Sequence, residues 1–258
     1  MISVKSLIHA LQIGAYDNAL SGLYALDGTQ ASLDRARNRA VHTAEHFSQR
    51  FGSSEDCALF SGPGRTEIGG NHTDHQHGHA LCGSVDLDML GCAAPNGRNV
   101  IRIQSEGYPL LEVDLDSLLP REEEKNTTTA LIRGMAAKIR ELGYPLAGFD
   151  AYVTSNVLSG SGLSSSAAYE TLLGNVFNHF CCGDALNAVE IAKIGQYAEN
   201  IYFGKPCGLL DQMGSSVGGA VAIDFADPAN PVVERVDYDF ACSGHTLCIV
   251  DTGSSHGD

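Results

Sequence analysis

Basic side chains are scarce in this sequence. Sixteen Lys and Arg face 31 Asp and Glu across 258 residues, a net charge of −15 with histidine neutral. A field of that sign repels phosphate backbones, and no segregated basic patch offsets it, which argues against a nucleic-acid partner. Long apolar runs are missing too. The longest falls well short of a bilayer span, and the N-terminus lacks a signal-peptide pattern, so a soluble cytoplasmic chain with no membrane partner is expected. No Cys-x-x-Cys spacing occurs among the eight cysteines, at 57, 82, 92, 181, 182, 207, 242 and 248. Without a secretion signal they read as small buried hydrophobes in a reducing compartment. The adjacent Cys181 and Cys182 are the expected exception, as an exposed thiol. Internal repeats and low-complexity tracts are absent as well.

What is present is the composition of a globular protein, with 43% hydrophobic and 18% charged residues. That length allows one large domain or two small ones with a real core. The first 54 residues read as polar-amphipathic helices. Leu7, Ile8 and Leu11, then Leu20, Leu23 and Tyr24, recur at helical spacing, and 31–50 form one longer helix ended near Gly52. From Cys57 the texture changes. Residues 57–61 predict a short strand broken by Gly62-Pro63-Gly64, which opens a polar loop through Gly78. Residues 80–93 and 99–104 predict strands, joined by an Asn96-Gly97 turn that signals a hairpin. Further strands are expected at 110–113, 148–157, 218–225, 232–238 and 245–251, and helices at 126–142, 164–180 and 185–200. The class is α+β, an antiparallel-leaning sheet backed by helices.

Three stretches carry chemistry. In the first, 156–168, a strand ends, Gly160 and Gly162 free backbone amides, and a helix begins behind Ser164, Ser165 and Ser166. Uncapped amides and a helix dipole make an anion site there, and a hydroxyl such as Ser166 can ligate Mg²⁺. No lysine follows the glycines, so it is not a P-loop; an ordinary Gly/Ser turn with an N-cap is the rival reading. The second, 62–79, concentrates polar side chains suited to sugar hydroxyls around one fixed cation, Arg65. His72, His75, His77 and His79 also allow a transition-metal site, although nothing in sequence completes a coordination shell. In the third, 196–214, Asp211 sits among apolar residues and glycines. A carboxylate there acts as a base or metal ligand, or merely caps a short helix.

These stretches, in this order, resemble the sugar and small-molecule kinases of the GHMP superfamily, and within it the galactokinase family, over roughly residues 57–258. The resemblance implies a GHMP kinase fold, like domain 2 of ribosomal protein S5. It implies a helical extension at 1–54, a sugar- and ATP-binding domain at 55–240, and the start of an incomplete C-terminal domain at 241–258. The chain would then be a fragment whose own activity is in question. The implied reaction is ATP-dependent phosphorylation of the anomeric hydroxyl of galactose.

By position, Asp211 would be the base and Arg65 would meet the charge on the transferring phosphoryl group. Asn71, His72, Thr73 and Asp74 would bind the sugar. Gly160, Ser161, Gly162, Leu163, Ser164, Ser165 and Ser166 would wrap the triphosphate, with Ser105 a further candidate near the nucleotide, and Ser166 and Glu199 would hold Mg²⁺. Galactokinases usually show Glu-His-Thr-Asp-Tyr where this chain has Asn71-His72-Thr73-Asp74-His75. Another sugar, such as arabinose or glucuronic acid, therefore stays open, as does a non-catalytic sugar-and-ATP sensor.

Overall fold

The computed structural model describes residues 2–24, 28–158, 160–238, 244 and 247–250. Three helices lead: α1 (Val4–Gln12), α2 (Asp17–Leu23) and α3 (Gln30–Phe51). Thr29 caps α3 by accepting from the Ser32 amide, and Gly52 ends it with φ 88°, a conformation that favours glycine. Ala40, Thr43, Ala44 and Phe47 lie at i, i+3, i+4 and i+7 on its buried face.

Seven strands follow in one sheet: β1 (Ala58–Gly69), β2 (His79–Pro95), β3 (Val100–Ser105), β4 (Leu111–Asp114), β5 (Phe149–Ser155), β6 (Ala220–Asp224) and β7 (Val232–Val236). Their order is β4-β3-β5-β2-β6-β7, with β1 paired along the other side of β2. All pairs are antiparallel except β3 with β5. Between β4 and β5 comes α4 (Thr128–Glu141), and after β5 come α5 (Ser165–Cys182), α6 (Ala188–Tyr197) and α7 (Leu210–Val217).

Helices cover both faces. α4, α5 and α6 bury Ile101, Ile103, Phe149 and Val153 beneath them, with Phe149 edge-on to Phe177 at 5.2 Å. The opposite face gives Leu90, Cys92 and Tyr152 to α1 and α3, where Phe47 is fully buried. Burying a side chain of that size contributes about 2–3 kcal/mol. The helical N-terminal segment is thus part of the core.

Four expectations change. Gly62-Pro63-Gly64 does not break β1, which runs through it to Gly69. Gly62 is needed because α5 crosses there, and a Cβ would strike the Ala168 carbonyl. Pro63 is tolerated because β1 pairs with β2 alone and the register shifts between Pro63 and Arg65. The Asn96-Gly97 turn does not close a hairpin, since β5 lies between β2 and β3. Asn96 instead bonds the Val100 carbonyl and Asp150 of β5. Cys181 and Cys182 are both buried at 7% exposure, so neither is the exposed thiol; burial pushes Cys182 up to about 11. The expected strand at 245–251 falls partly outside the described residues, and 247–250 within it are irregular.

Candidate active site

Arg65 and Asp211 stand 146 positions apart in sequence and meet in space. Arg65 Nε donates to Asp211 Oδ1 at 2.8 Å, its Nη2 lies 2.7 Å from the same oxygen, and Nη1 donates to the Gly162 carbonyl at 2.8 Å. The Arg65 amide donates to the Leu163 carbonyl at 3.1 Å. One strand of the sheet therefore anchors both the glycine–serine loop and the first turn of α7. The Arg65 side chain is 8% exposed, while that of Asp211 is 34% exposed. The cation is locked in place, and the carboxylate faces outward.

Ser164 differs from a helix cap. It is left-handed, φ 56°, and its side chain makes no capping bond to α5. Its hydroxyl donates to Asp211 Oδ2. The first-turn amides of α5 are left without a side-chain cap, as an anion cradle requires. Gly160 and Gly162 have φ 76° and 75°, and nothing lies within 4 Å of a Cβ built on Gly162. Ser161 folds back on the Leu158 carbonyl, Leu163 is buried against Val157 and Ala168, and Ser165 and Ser166 are half-buried at the helix start.

The polar loop after β1 is fastened to the same place. Asp74 is 6% exposed, and its Oδ2 accepts from the Leu210 amide at 3.1 Å, capping α7 from 136 positions away. Its Oδ1 accepts from the His75 amide at 3.0 Å. Gly208 makes room, since a Cβ there would collide with this carboxylate. Thr73 bonds the His79 carbonyl at 3.2 Å and closes the loop. Asn71 and His72 are exposed at its tip, both left-handed, with φ 52° and 50°. Among the described residues no group of three or more His, Cys, Asp or Glu could hold a metal ion.

Behind α7 lies a buried acidic cluster. After α6 the chain forms a π-helical turn, Ala198–Phe203, which carries Glu199 inward. Gln212 Nε2 donates to Glu199 Oε2 at 2.9 Å and to Glu170 Oε2 at 3.0 Å. Glu170 Oε1 and Gln212 Oε1 are buried without partners. Burial, reinforced by the Glu199 charge, holds the Glu170 carboxyl well above the usual carboxylate range. Ser166 sits one turn before Glu170 on α5. Ser105 ends β3 opposite Val153 of β5. A cavity of about 410 Å³ lies elsewhere, between α2, the β1–β2 register shift and the end of α7, and no expected site residue lines it.

Two family models match: the GHMP kinases N terminal domain over residues 130–219 and the galactokinase galactose-binding signature over residues 45–95. Galactokinase of Streptomyces coelicolor is 30% identical over 215 residues, 82% of this chain and 54% of the relative. That of Clostridium tetani is 32% identical over 175 residues, 67% of this chain and 44% of the relative. The crystal structure of Lactococcus lactis galactokinase complexed with galactose superposes with a TM-score of 0.69 at 27% identity, covering 78% of this chain and 52% of that one. The chain belongs to the galactokinase family of GHMP kinases. It has the GHMP kinase fold, and it spans about half the length of the curated relatives it matches. Among the described residues no helix is long and apolar enough to cross a membrane.

The galactose-binding signature contains β1, the polar loop and all of β2, and the N-terminal-domain match contains the serine loop, the acidic cluster and α7. Arg65 and Asp74 both join these two matched segments. Sequence reasoning missed Glu67, Glu170, Gly208 and Gln212. The first was hidden inside a motif whose other polar residues drew attention. Glu170 carried a signal, because a carboxylate four residues after Ser166 shares its helical face.

Proposed function

We propose that the protein is an ATP-dependent sugar 1-kinase that phosphorylates the anomeric hydroxyl of galactose, giving galactose 1-phosphate and ADP. The observation that carries this reading is the Asp211 carboxylate, held by Arg65 and Ser164 yet one-third exposed, where the sugar loop, the serine loop and α7 converge. A carboxylate has lone pairs beyond those two bonds, so Asp211 can take the proton as the anomeric oxygen attacks phosphorus. Arg65 is fixed where negative charge on the transferring group would develop, and the α5 amides suit the polyphosphate. Asn71, His72, Thr73 and Asp74 form the sugar side of the site.

A magnesium ion fits the donors present. Glu199 is a buried carboxylate neighboured by the unpartnered Glu170 and Gln212 oxygens, an arrangement that a cation relieves. Ser166 and Glu199 are the residues that would hold it; when bound, it neutralises phosphate charge. The helical segment 1–54 acts as a packed extension of the 55–240 domain, and most of the expected segment 241–258 lies outside the described residues. Cytoplasmic residence is supported by unbridged thiols, such as Cys57 and Cys92 with sulfurs 3.7 Å apart.

ATP consumption measured with galactose, arabinose, glucuronic acid and no sugar tests the reading. Stimulation by galactose is expected. Stimulation by another sugar alone would move the substrate, a possibility that uncharged Asn71 favours. Sugar and ATP binding without turnover would make the protein a sensor.

A further inference from the structure

We propose that Glu67 is the positioning residue of the sugar loop, acting through His72; this deepens the sugar-kinase reading and rests on it. Glu67 lies near the end of β1, opposite Cys82, where the register with β2 shifts a second time between Glu67 and Gly69. There the strand leaves its ladder and the loop begins. Both oxygens of Glu67 are spent on one residue. Oε1 accepts from the His72 amide at 2.8 Å, and Oε2 lies 3.1 Å from His72 Nε2. The Glu67 side chain is 14% exposed and that of His72 56% exposed, so the clamp is half-buried and what it holds faces solvent.

The clamp has a physical purpose. Asn71 and His72 are consecutive non-glycine residues with positive φ, a conformation that costs free energy and persists when neighbours impose it. A carboxylate gripping the second residue by backbone and ring together imposes it. With Nε2 directed at Glu67, the proton of a neutral ring sits on Nε2, leaving Nδ1 as a free acceptor at the loop tip. Glu67 thus fixes both the direction and the tautomer of the imidazole offered to a sugar hydroxyl. It also places a carboxylate beneath a loop whose tip residue Asn71 carries no charge.

The test uses the full chain and the variants Glu67→Ala, Glu67→Gln, His72→Ala and the Glu67→Ala/His72→Ala double. Two readouts are taken: steady-state kinetics with galactose and ATP, and hydrogen exchange at the His72 amide. Glu67→Ala should raise the galactose KM roughly tenfold, as losing a hydrogen bond to a charged group does. The ATP KM and the kcat at saturating galactose should stay within about twofold, and exchange at His72 should accelerate. Glu67→Gln, which keeps an oxygen for the amide, should fall between. Adding His72→Ala to Glu67→Ala should cost little more, because the ring is already released. A fall in kcat with unchanged galactose KM, or multiplying effects in the double variant, would overturn the proposal. If no sugar supports turnover in the unmodified chain, exchange alone decides the clamp: acceleration in Glu67→Ala upholds it, and unchanged exchange overturns it.

Discussion

Two arginine–aspartate pairs flank the register shift between β1 and β2, and they are built for opposite purposes. In the first, Arg39 of α3 binds Asp88 of β2 through one guanidinium nitrogen and donates from the other to the Asp88 carbonyl at 3.0 Å. Tyr24 and Ser61 add hydroxyl bonds to Asp88 Oδ2 at 3.1 and 2.6 Å. Asp88 is 2% exposed. Burial and this carboxylate's charge hold the Tyr24 phenol well above its ordinary range. In the second pair Arg65 is the buried partner and Asp211 the open one. A carboxylate enclosed by three donor contacts at 2% exposure has no room for a substrate proton; one held from behind and one-third exposed does. The first pair joins the helical segment to the sheet, and the second joins the sheet to the chemistry.

That contrast breaks most visibly at Asp211. Asp211→Asn keeps size and hydrogen-bonding shape but removes the proposed base. Turnover with galactose should fall by ~10²–10⁴, while sugar affinity by calorimetry and the urea midpoint stay near those of the unmodified protein. Near-normal turnover would mean that the aspartate only positions, and Arg65 would then have to supply the catalysis. The matching change in the other pair should do the reverse. Asp88→Ala leaves the Arg39 charge without its partner beside a buried strand, which typically costs about 3–5 kcal/mol. Urea unfolding would show a much lower midpoint, with turnover per folded molecule retained. Stability unchanged in Asp88→Ala would erase the distinction between the pairs.

Local signals in the sequence carried the elements well and their pairing less well. The 3.6-residue stripe of α3 and its Gly52 stop lie in neighbouring residues, as does the strand–glycine–helix order around α5. The Asn96-Gly97 signal misled because hairpin propensity is local, whereas β5, which takes the place beside β2, arrives over 50 positions later. Gly62-Pro63-Gly64 misled for a related reason: the helix that makes a glycine necessary there is α5, a hundred residues on. At the site, the residue types were legible from motif chemistry and family resemblance. Their contacts were not. Nothing in the spacing says that Ser164 would turn its hydroxyl to Asp211 and not to its own helix, or that Asp74 would cap α7.

The smallest expected effect sharpens the comparison with a third carboxylate, one that has neither three donors nor an open face. Glu170 is 1% exposed, has one donor in Gln212, and keeps Oε1 unpartnered. Its folded-state pKa is raised above the ordinary 4.5, by burial first and the Glu199 charge second. A raised carboxyl pKa means that the folded state holds the proton more tightly than the unfolded one. Stability therefore declines as pH climbs above about 4.5 and levels off only past the folded value. Glu170→Gln removes that penalty while keeping an oxygen for Gln212. In the presence of chelator the variant should be more stable than the unmodified protein at pH 8, the gain shrinking as pH falls and vanishing near 4.5. Urea midpoints across that range measure it. A variant less stable at every pH would show that the Glu170 carboxylate is ionised and supported, which would make it a second member of the charged site beside Glu199.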